Sequence, residues 1–117
     1  MKVKCKKTFM ESENRVTNSD LTGYIEIGKE FEVYGLRFSS SVCYVMIFDG
    51  RHLLEAPFEL FSIVDEKIPD IWKARSVEQD ICIWPELFYQ QYFFDDFSED
   101  DPMLRQQFTE LQNSMKV

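Results

Sequence analysis

The sequence predicts an α+β fold that is mainly β and ends in helices. Two observations predict it: short runs that alternate apolar with polar residues fill the first half, and helical periodicity appears near the end. With 117 residues, the chain can bury one core but cannot hold two full domains. We therefore predict a single domain over 1–117, with five short strands in 1–66 and a strand and two short helices in 67–117.

The first strand is predicted by the alternation of lysines with apolar residues at the start of the chain. This period of two places one face in water and the other against a core. Lys2, Lys4, Lys6 and Lys7 would then discourage edge-to-edge aggregation, and nucleic-acid binding by them is the less favoured alternative. The polar stretch 10–22 follows and predicts a long exposed loop, which is itself a second candidate for recognition.

A turn and the central strand follow this loop. Gly28 marks the turn, and a strand runs from there to about Phe38, where three serines break it. The run 42–48 is continuously β-branched and aromatic, which is typical of a strand buried on both faces. We therefore expect 42–48 to be the central strand.

The remainder of the first half predicts a hairpin and a closing strand. Asp49 and Gly50 signal a two-residue type I′ turn, so the return strand should cover 51–55. Pro57 ends that strand because proline lacks a backbone donor. A short helical turn and a last apolar strand to about Val64 then complete the five strands.

The second half predicts one more strand and a short helix. Trp72 is large and should be packed. The run 81–84 predicts a strand added to a sheet edge. Pro85 then opens a helix to about Tyr92, since proline is tolerated in the first turn of a helix.

The final helix has the clearest signals. Asp101 is the expected N-cap, and Pro102 is the expected first helical residue. Apolar residues then recur at helical spacing, which predicts one apolar stripe. We expect this stripe to pack on the strands of the first half; its members are Leu104, Phe108, Leu111 and Met115.

Charge and composition disfavour several classes of function. With 21 Asp and Glu against 13 Lys and Arg, the net charge is -8, which opposes nucleic acid or an anionic membrane and favours a basic protein partner. No apolar run suits a signal peptide or a membrane span, so a cytoplasmic location is expected. The widely spaced Cys5, Cys43 and Cys82 indicate reduced core thiols and lack the paired spacing of a zinc site.

No residue pattern specifies catalysis. The chain has one histidine, His52, beside the predicted hairpin turn, and no serine or cysteine lies in a nucleophile motif. The four glycines stand singly, which does not make a phosphate-binding loop. We therefore expect a protein that is not an enzyme and that uses no metal or cofactor.

The aromatic segment, residues 84–97, is the most unusual part of the chain, because seven of its fourteen residues are aromatic. One interpretation is that Phe88, Tyr92 and Phe93 fill the end of the strand core. On a helix, however, about half of such rings would face away from that core. Exposed tyrosines are typical of binding hot spots, so we predict Tyr89 and Tyr92 as exposed partner contacts.

An acidic run overlaps the end of this segment. Between positions 95 and 101 the chain holds five carboxylates and no base: Asp95, Asp96, Glu99, Asp100 and Asp101. One interpretation is a solvated loop whose charge also stabilises the N-terminus of the final helix. The other is a patch that steers a basic protein toward the neighbouring tyrosines. We predict that these five carboxylates bind the partner together with Tyr89 and Tyr92.

The order of long loop, glycine turn, three-strand meander, proline-led turn and closing strand resembles an SH3-like small barrel over 1–66. Short motifs look like those of small bacterial orphan proteins with such a barrel, several of which resemble immunity proteins: Ile27–Tyr34, Pro57–Phe61, Ile68–Trp72, Phe93–Phe97 and Asp100–Pro102. The resemblance implies a cytoplasmic antidote of a contact-dependent or polymorphic toxin system. Such a protein binds its cognate toxin, often a nuclease such as an RNase, and blocks the active site.

Two other functions stay open. An SH3-like adaptor would hold a Pro-rich or basic peptide with the 10–22 loop and exposed aromatic residues, although the usual groove tyrosines have no clear counterparts. A small acidic mimic of nucleic acid would instead inhibit unrelated nucleases. Partner size separates the first two functions, because a folded partner should bury about 1,600 Å² and bind tightly, whereas a peptide should bind weakly.

Overall fold

The protein is mainly β and ends in two short α-helices, which confirms the predicted α+β class. The structure, a computed structural model, describes residues 1–10 and 19–116. The strands are β1 (Lys2–Cys5), β2 (Phe9–Met10), β3 (Ser19–Asp20), β4 (Glu30–Glu32), β5 (Gly35–Ser39), β6 (Val42–Phe48), β7 (Leu53–Pro57), β8 (Phe61–Asp65), β9 (Trp72–Val77) and β10 (Asp80–Pro85). The helices are α1 (Phe93–Ser98) and α2 (Pro102–Met115), and Phe58–Leu60 and Glu86–Tyr89 are 3₁₀ turns.

Two antiparallel sheets carry the fold. The smaller has the order β4-β1-β8 and the larger has the order β7-β6-β5-β10-β9, while β2 and β3 have no other partner strand than each other among the described residues. The chain passes from one sheet to the other three times: between β4 and β5, through the 3₁₀ turn between β7 and β8, and between β8 and β9. Among the strands of the described residues, no ladder closes the two sheets into one barrel.

Two hydrophobic cores lie on opposite faces of the larger sheet. Successive residues of a strand point to opposite faces, so Val45 and Ile47 enter the core between the two sheets, whereas Met46 enters the core beneath the helices. Trp72 is buried in the first core, as predicted. The aromatic segment and α2 build the second core, so the larger sheet is the middle layer of three.

The larger sheet contains one strand more than the sequence predicts, so a different strand lies in its middle. β10 pairs with β5, as an added strand should, but β9 then pairs with β10 and was not predicted. The middle strand is therefore β5, and the prediction that 42–48 is central is wrong. β6 still lies between two partners, with Val45, Met46 and Ile47 buried.

Arg37 on β5 ties this added hairpin to the rest of the sheet. Its Nε donates to Glu55 Oε2 on β7 at 2.7 Å, and its Nη1 donates to Asp80 Oδ2 on β10 at 2.7 Å. The guanidinium also lies over the Tyr44 ring. The hydrogen bond to Glu55 raises the pKa of Arg37, so the charge that bridges the three strands is permanent.

The predicted two-residue turn at Asp49 is wrong. Phe48 pairs with Leu53, which leaves a four-residue loop and shifts the return strand to Leu53–Pro57. The Asp49 carboxylate holds this loop by accepting hydrogen bonds from the backbone of Arg51 at 2.9 Å and of His52 at 2.6 Å. Burial raises the pKa of Asp49, but these hydrogen bonds outweigh burial and the pKa is lowered overall.

The hairpin between β9 and β10 turns through two residues that both have positive φ, Glu78 at 50° and Gln79 at 79°. Two positive φ values are typical of a type I′ turn, which favours Asn-Gly. The sequence pattern failed to predict this hairpin because it lacks those residues. The pairing of β10 with β5 stabilises this hairpin, although the turn residues do not predict it.

We expect Glu78→Asn combined with Gln79→Gly to raise the free energy of unfolding by about 1 kcal/mol, because side chains other than Asn and Gly strain a left-handed backbone. Urea denaturation would measure this change. The matched control is Glu66→Asn with Lys67→Gly, at two positions without positive φ. Glycine only adds freedom to the unfolded chain there, so a gain of equal size in the control would contradict the explanation.

The C-terminal region agrees with prediction at α2 and differs before it. Asp101 is the N-cap and accepts hydrogen bonds from the backbone of Met103 and Leu104, as predicted. The predicted helix 85–92 is instead a 3₁₀ turn that ends in extended backbone at Gln90. A new helix, α1, begins at Phe93 and covers the first part of the 95–101 region that was predicted to be an acidic loop.

Candidate partner-binding surface

Most rings of the aromatic segment are packed. Phe88, Phe93 and Phe97 are each 2% exposed, and Trp84 is also buried. Phe88 stacks on Phe93 with ring centroids 5.1 Å apart, and Phe93 stacks on Phe97 at 5.6 Å. The interpretation that Phe88, Tyr92 and Phe93 fill the end of the strand core is therefore wrong: Phe88 and Phe93 are buried in the second core, beneath the helices, and Tyr92 is exposed.

Tyr89 is half-buried, so the expectation that it is exposed is wrong. Its hydroxyl lies 2.5 Å from the Lys73 carbonyl and 3.0 Å from the Cys82 carbonyl, within hydrogen-bonding distance of both. Trp84 and Arg75 also contact its ring. The 3₁₀ turn brings the side chain back onto β9 and β10, whereas the predicted α-helix would have carried it outward. Burial raises the pKa of Tyr89, consistent with a structural role.

Tyr92 is 65% exposed, in agreement with its prediction as an exposed residue. It precedes the first residue of α1 and has a left-handed backbone with φ of 63°. Such a conformation is uncommon for a bulky residue and costs free energy. Tyr92 therefore presents an aromatic ring to solvent from a backbone that would favour glycine or asparagine.

The acidic tip consists of Asp95, Asp96, Glu99, Asp100 and Asp101, and backbone hydrogen bonds hold it beside Tyr92. Asp96 N donates to the Tyr92 carbonyl at 3.0 Å, and Asp101 N donates to the Asp96 carbonyl at 3.1 Å. Residues four apart on a helix share a face, so Asp96 lies one turn from Tyr92. The structure thus brings together Tyr92 and the five carboxylates but not Tyr89.

The carboxylates of the acidic tip differ in exposure and in structural role. Asp95, Glu99 and Asp100 are exposed, while Asp96 and Asp101 are half-buried. Asp95 and Asp96 belong to the first turn of α1, so the prediction of a loop at these two positions is wrong. Asp101 is the N-cap of α2, so its carboxylate stabilises that helix in addition to contributing negative charge.

Arg105 organises the acidic tip, and sequence reasoning missed it. Its guanidinium lies over the Phe97 ring at 3.7 Å and pairs with the Asp100 carboxylate at 3.0 Å. It also donates to the carbonyls of Phe97 and Arg51, both at 2.8 Å, which connects α1 to the hairpin loop. The sequence does contain a signal for this role, because an arginine lies one turn into the helix that follows the acidic run. Five carboxylates against this one guanidinium leave four excess negative charges.

Comparison of the chain with known protein families, with curated proteins and with solved structures finds no match. The proposed function therefore depends on the chemistry of the acidic tip and Tyr92. Within residues 1–10 and 19–116, no helix is long and apolar enough to cross a membrane.

None of the residues considered for catalysis or metal binding belongs to the acidic tip. The His52 ring is 48% exposed and its Nδ1 lies 3.1 Å from Asp49 Oδ2. Cys5 and Cys82 are buried and Cys43 is half-buried, all three as free thiols. Burial raises the pKa of Cys82 to about 11, which disfavours the reactive thiolate. In the part of the chain that the structure describes, no group of three His, Cys, Asp or Glu residues could hold a metal ion.

Lys2 and Lys4 do not protect a sheet edge, contrary to the prediction, and Lys6 and Lys7 lie beyond the end of β1. β1 pairs with β4 on one side and with β8 on the other, so it is the middle strand of its sheet. Lys2 lies opposite Glu32 and Asp65, and Lys4 lies opposite Glu30. Opposite charges in cross-strand positions stabilise a sheet, and they also offset the positive charge that nucleic acid would need.

Proposed function

We propose that this is a binding protein without catalytic activity, whose acidic tip and Tyr92 engage a folded basic protein. Its role would be that of an immunity protein that blocks a cognate nuclease-type toxin in the cytoplasm. One observation carries the proposal: five carboxylates and an exposed tyrosine lie on one short helix and the residues on either side of it, and a single arginine, Arg105 of α2, pairs with one of these carboxylates.

The physics of nuclease sites supports this proposal. A nuclease holds phosphates with Lys and Arg, and a surface with four excess negative charges can pair with the same groups. Close charge pairs across an interface can couple by about 1.5 to 7 kcal/mol. The field of such a patch also raises association rates at low salt. An exposed tyrosine adds the kind of contact that is enriched at binding hot spots.

We further propose that residues 1–66 are an SH3-like small barrel. Supporting this, β1 lies between β4 and β8, and β4 leads within two residues into β5 of the other sheet. A 3₁₀ turn between β7 and β8 makes the second corner. The shared architecture says little about function, so the proposed role still depends on the acidic tip.

The alternative function is an SH3-like adaptor that binds a peptide. Two exposed aromatic residues favour it: Phe9, which is 48% exposed, and Tyr24, which is 52% exposed. They lie on either side of the predicted 10–22 loop, of which residues 11–18 lie outside the described residues. A peptide partner would bind weakly and would be insensitive to changes at the acidic tip.

The first test is recovery of the partner from native cells at low salt, with mass identification of proteins bound to the tagged chain. We expect one stoichiometric basic protein whose nuclease activity the chain inhibits. Recovery of a nuclease that is inhibited no better than unrelated nucleases would favour the nucleic-acid mimic. Recovery of peptides alone would favour the adaptor.

The acidic tip is then tested by Asp95→Lys combined with Glu99→Lys, which changes two exposed carboxylates and spares the Asp101 cap. We expect association with the recovered nuclease to slow at least about 10-fold at low salt and much less at high salt. The matched control is Glu26→Lys with Glu59→Lys, which makes the same charge change at exposed positions elsewhere. Equal slowing in both variants would contradict a specific role for the acidic tip.

A further inference from the structure

A groove with a volume of about 510 Å³ runs between the second 3₁₀ turn, Glu86–Tyr89, and α2 from Gln107 to Ser114. None of the acidic tip's residues lines it. Leu87 from the turn and Leu111 from α2 give it apolar walls, while Gln107 and Glu110 add polar groups from α2. The groove is therefore a second surface with mixed apolar and acceptor chemistry.

The charge of the groove is negative once its internal ion pair is counted. Arg75 Nη2 lies 2.7 Å from Glu86 Oε1 and 2.9 Å from Glu86 Oε2, so these two charges offset each other. Glu110 has no such cation: within the described part of the chain, its carboxylate accepts one long hydrogen bond, from Gln106 Nε2 at 3.4 Å. A ligand that complements the groove should thus carry positive charge near Glu110.

Gln107 lines the groove and has an acceptor without a partner. Its Oε1 is buried, and no donor for it is present among the described residues. A buried acceptor without a donor is unfavourable, and most such atoms in proteins find partners. The last torsion of a glutamine side chain is soft, so the oxygen can turn toward a donor that enters the groove.

The spacing of these acceptors selects one kind of cation. Gln107 and Glu110 are three apart on α2 and therefore neighbours on one face, next to Leu111. A planar guanidinium can donate to two neighbouring acceptors at once, which a single ammonium does less well. The methylenes of an arginine would contact Leu87 and Leu111.

We infer that this groove binds the side chain of an arginine presented by a protein partner. The inference deepens the proposed function and rests on it for the origin of the arginine, since a basic partner is rich in such side chains. The preference of the groove for an arginine side chain does not depend on the proposed function. It is inferred from the unpaired Gln107 acceptor, the unmatched Glu110 charge and the apolar walls.

The test titrates the ¹⁵N-labelled full chain with N-acetyl-arginine amide and follows amide shifts by NMR. We expect saturable shifts around Gln107, including its side-chain amide, with a dissociation constant on the order of 1 mM, as suits one side chain. N-acetyl-citrulline amide has nearly the same shape without the charge and should bind at least 10-fold more weakly. Equal shifts with the citrulline compound, or with N-acetyl-lysine amide, would overturn the assignment.

Two variants locate the contacts. Gln107→Met removes the acceptor at similar size, and Glu110→Gln removes the charge at an exposed position; each should weaken binding of the arginine amide about 5-fold or more. Glu59→Gln is the control and should bind as the parent does. Because Glu110→Gln is a surface change, the test holds even where Gln107→Met disturbs folding.

The outcomes separate this inference from the proposed function. The Asp95→Lys, Glu99→Lys chain keeps every groove residue, so it should retain the arginine-induced shifts. Loss of those shifts in that chain would show that the amide binds the acidic tip, which would overturn the groove assignment alone. Retained arginine binding without any recoverable basic protein would contradict the proposed function alone.

Discussion

Phe88→Ala is expected to lower the free energy of unfolding by about 3 to 5 kcal/mol, the largest effect of any single change considered for this protein. Phe88 is 2% exposed and its ring contacts four others, with centroids between 5.1 Å and 6.4 Å away. These rings belong to Trp84, Phe93, Phe94 and Phe108. Truncation would leave a cavity that these rigid neighbours cannot fill.

Guanidinium denaturation followed by tryptophan fluorescence would measure this loss. Met103→Ala is a matched control, because Met103 lies on α2 and is 68% exposed, so its truncation should change stability by less than about 0.5 kcal/mol. Marginal domains have about 5 to 15 kcal/mol of stability, so the Phe88 variant should unfold at clearly lower denaturant. A loss below about 1 kcal/mol would contradict the packing described for the second core.

The same change should affect the acidic tip. α1 has six residues, too few to be stable as an isolated helix. Phe93 and Phe97 hold its inner face against the core that Phe88 completes, while Asp95 and Glu99 face outward. The position of the carboxylates is thus a consequence of aromatic packing on the opposite side of one short helix.

Gly35→Ala is expected to cost about 1 to 3 kcal/mol, because the new methyl would overlap a packed indole. A Cβ at position 35 would lie 2.5 Å from Trp84 Cδ1 and 3.3 Å from the Ile83 carbonyl oxygen. Trp84 cannot move away freely, since Phe88, Tyr89 and Phe94 contact its ring. Glycine is required here by this close approach, and its φ is not positive.

A double-mutant cycle tests this cause. In a Trp84→Leu background the neighbour is smaller and more flexible, so Gly35→Ala should cost less than in the parent chain. The two changes should then couple by at least about 0.5 kcal/mol in urea denaturation. Equal costs in the two backgrounds would mean that the indole is not what glycine accommodates.

The sequence by itself determined the features whose chemistry is local. The alternation of β1, the turn at Gly28 and the Asp101 cap with Pro102 were all predicted correctly, because neighbours in the chain set them. The acidic run was also readable from a few adjacent residues, whereas the sequence left Tyr92 open between the core and the surface, where the structure places it.

Only the tertiary structure decided what depends on distant partners. β9 was missed because its strand character comes from pairing with β10, through a turn that lacks Asn-Gly. Tyr89 was misplaced because the carbonyls that bind its hydroxyl belong to Lys73 and Cys82 on two other strands. Arg105 acquired its role from Arg51, which is 54 positions away. Local sequence cannot encode such contacts, because burial and charge pairing arise only when separate segments pack together.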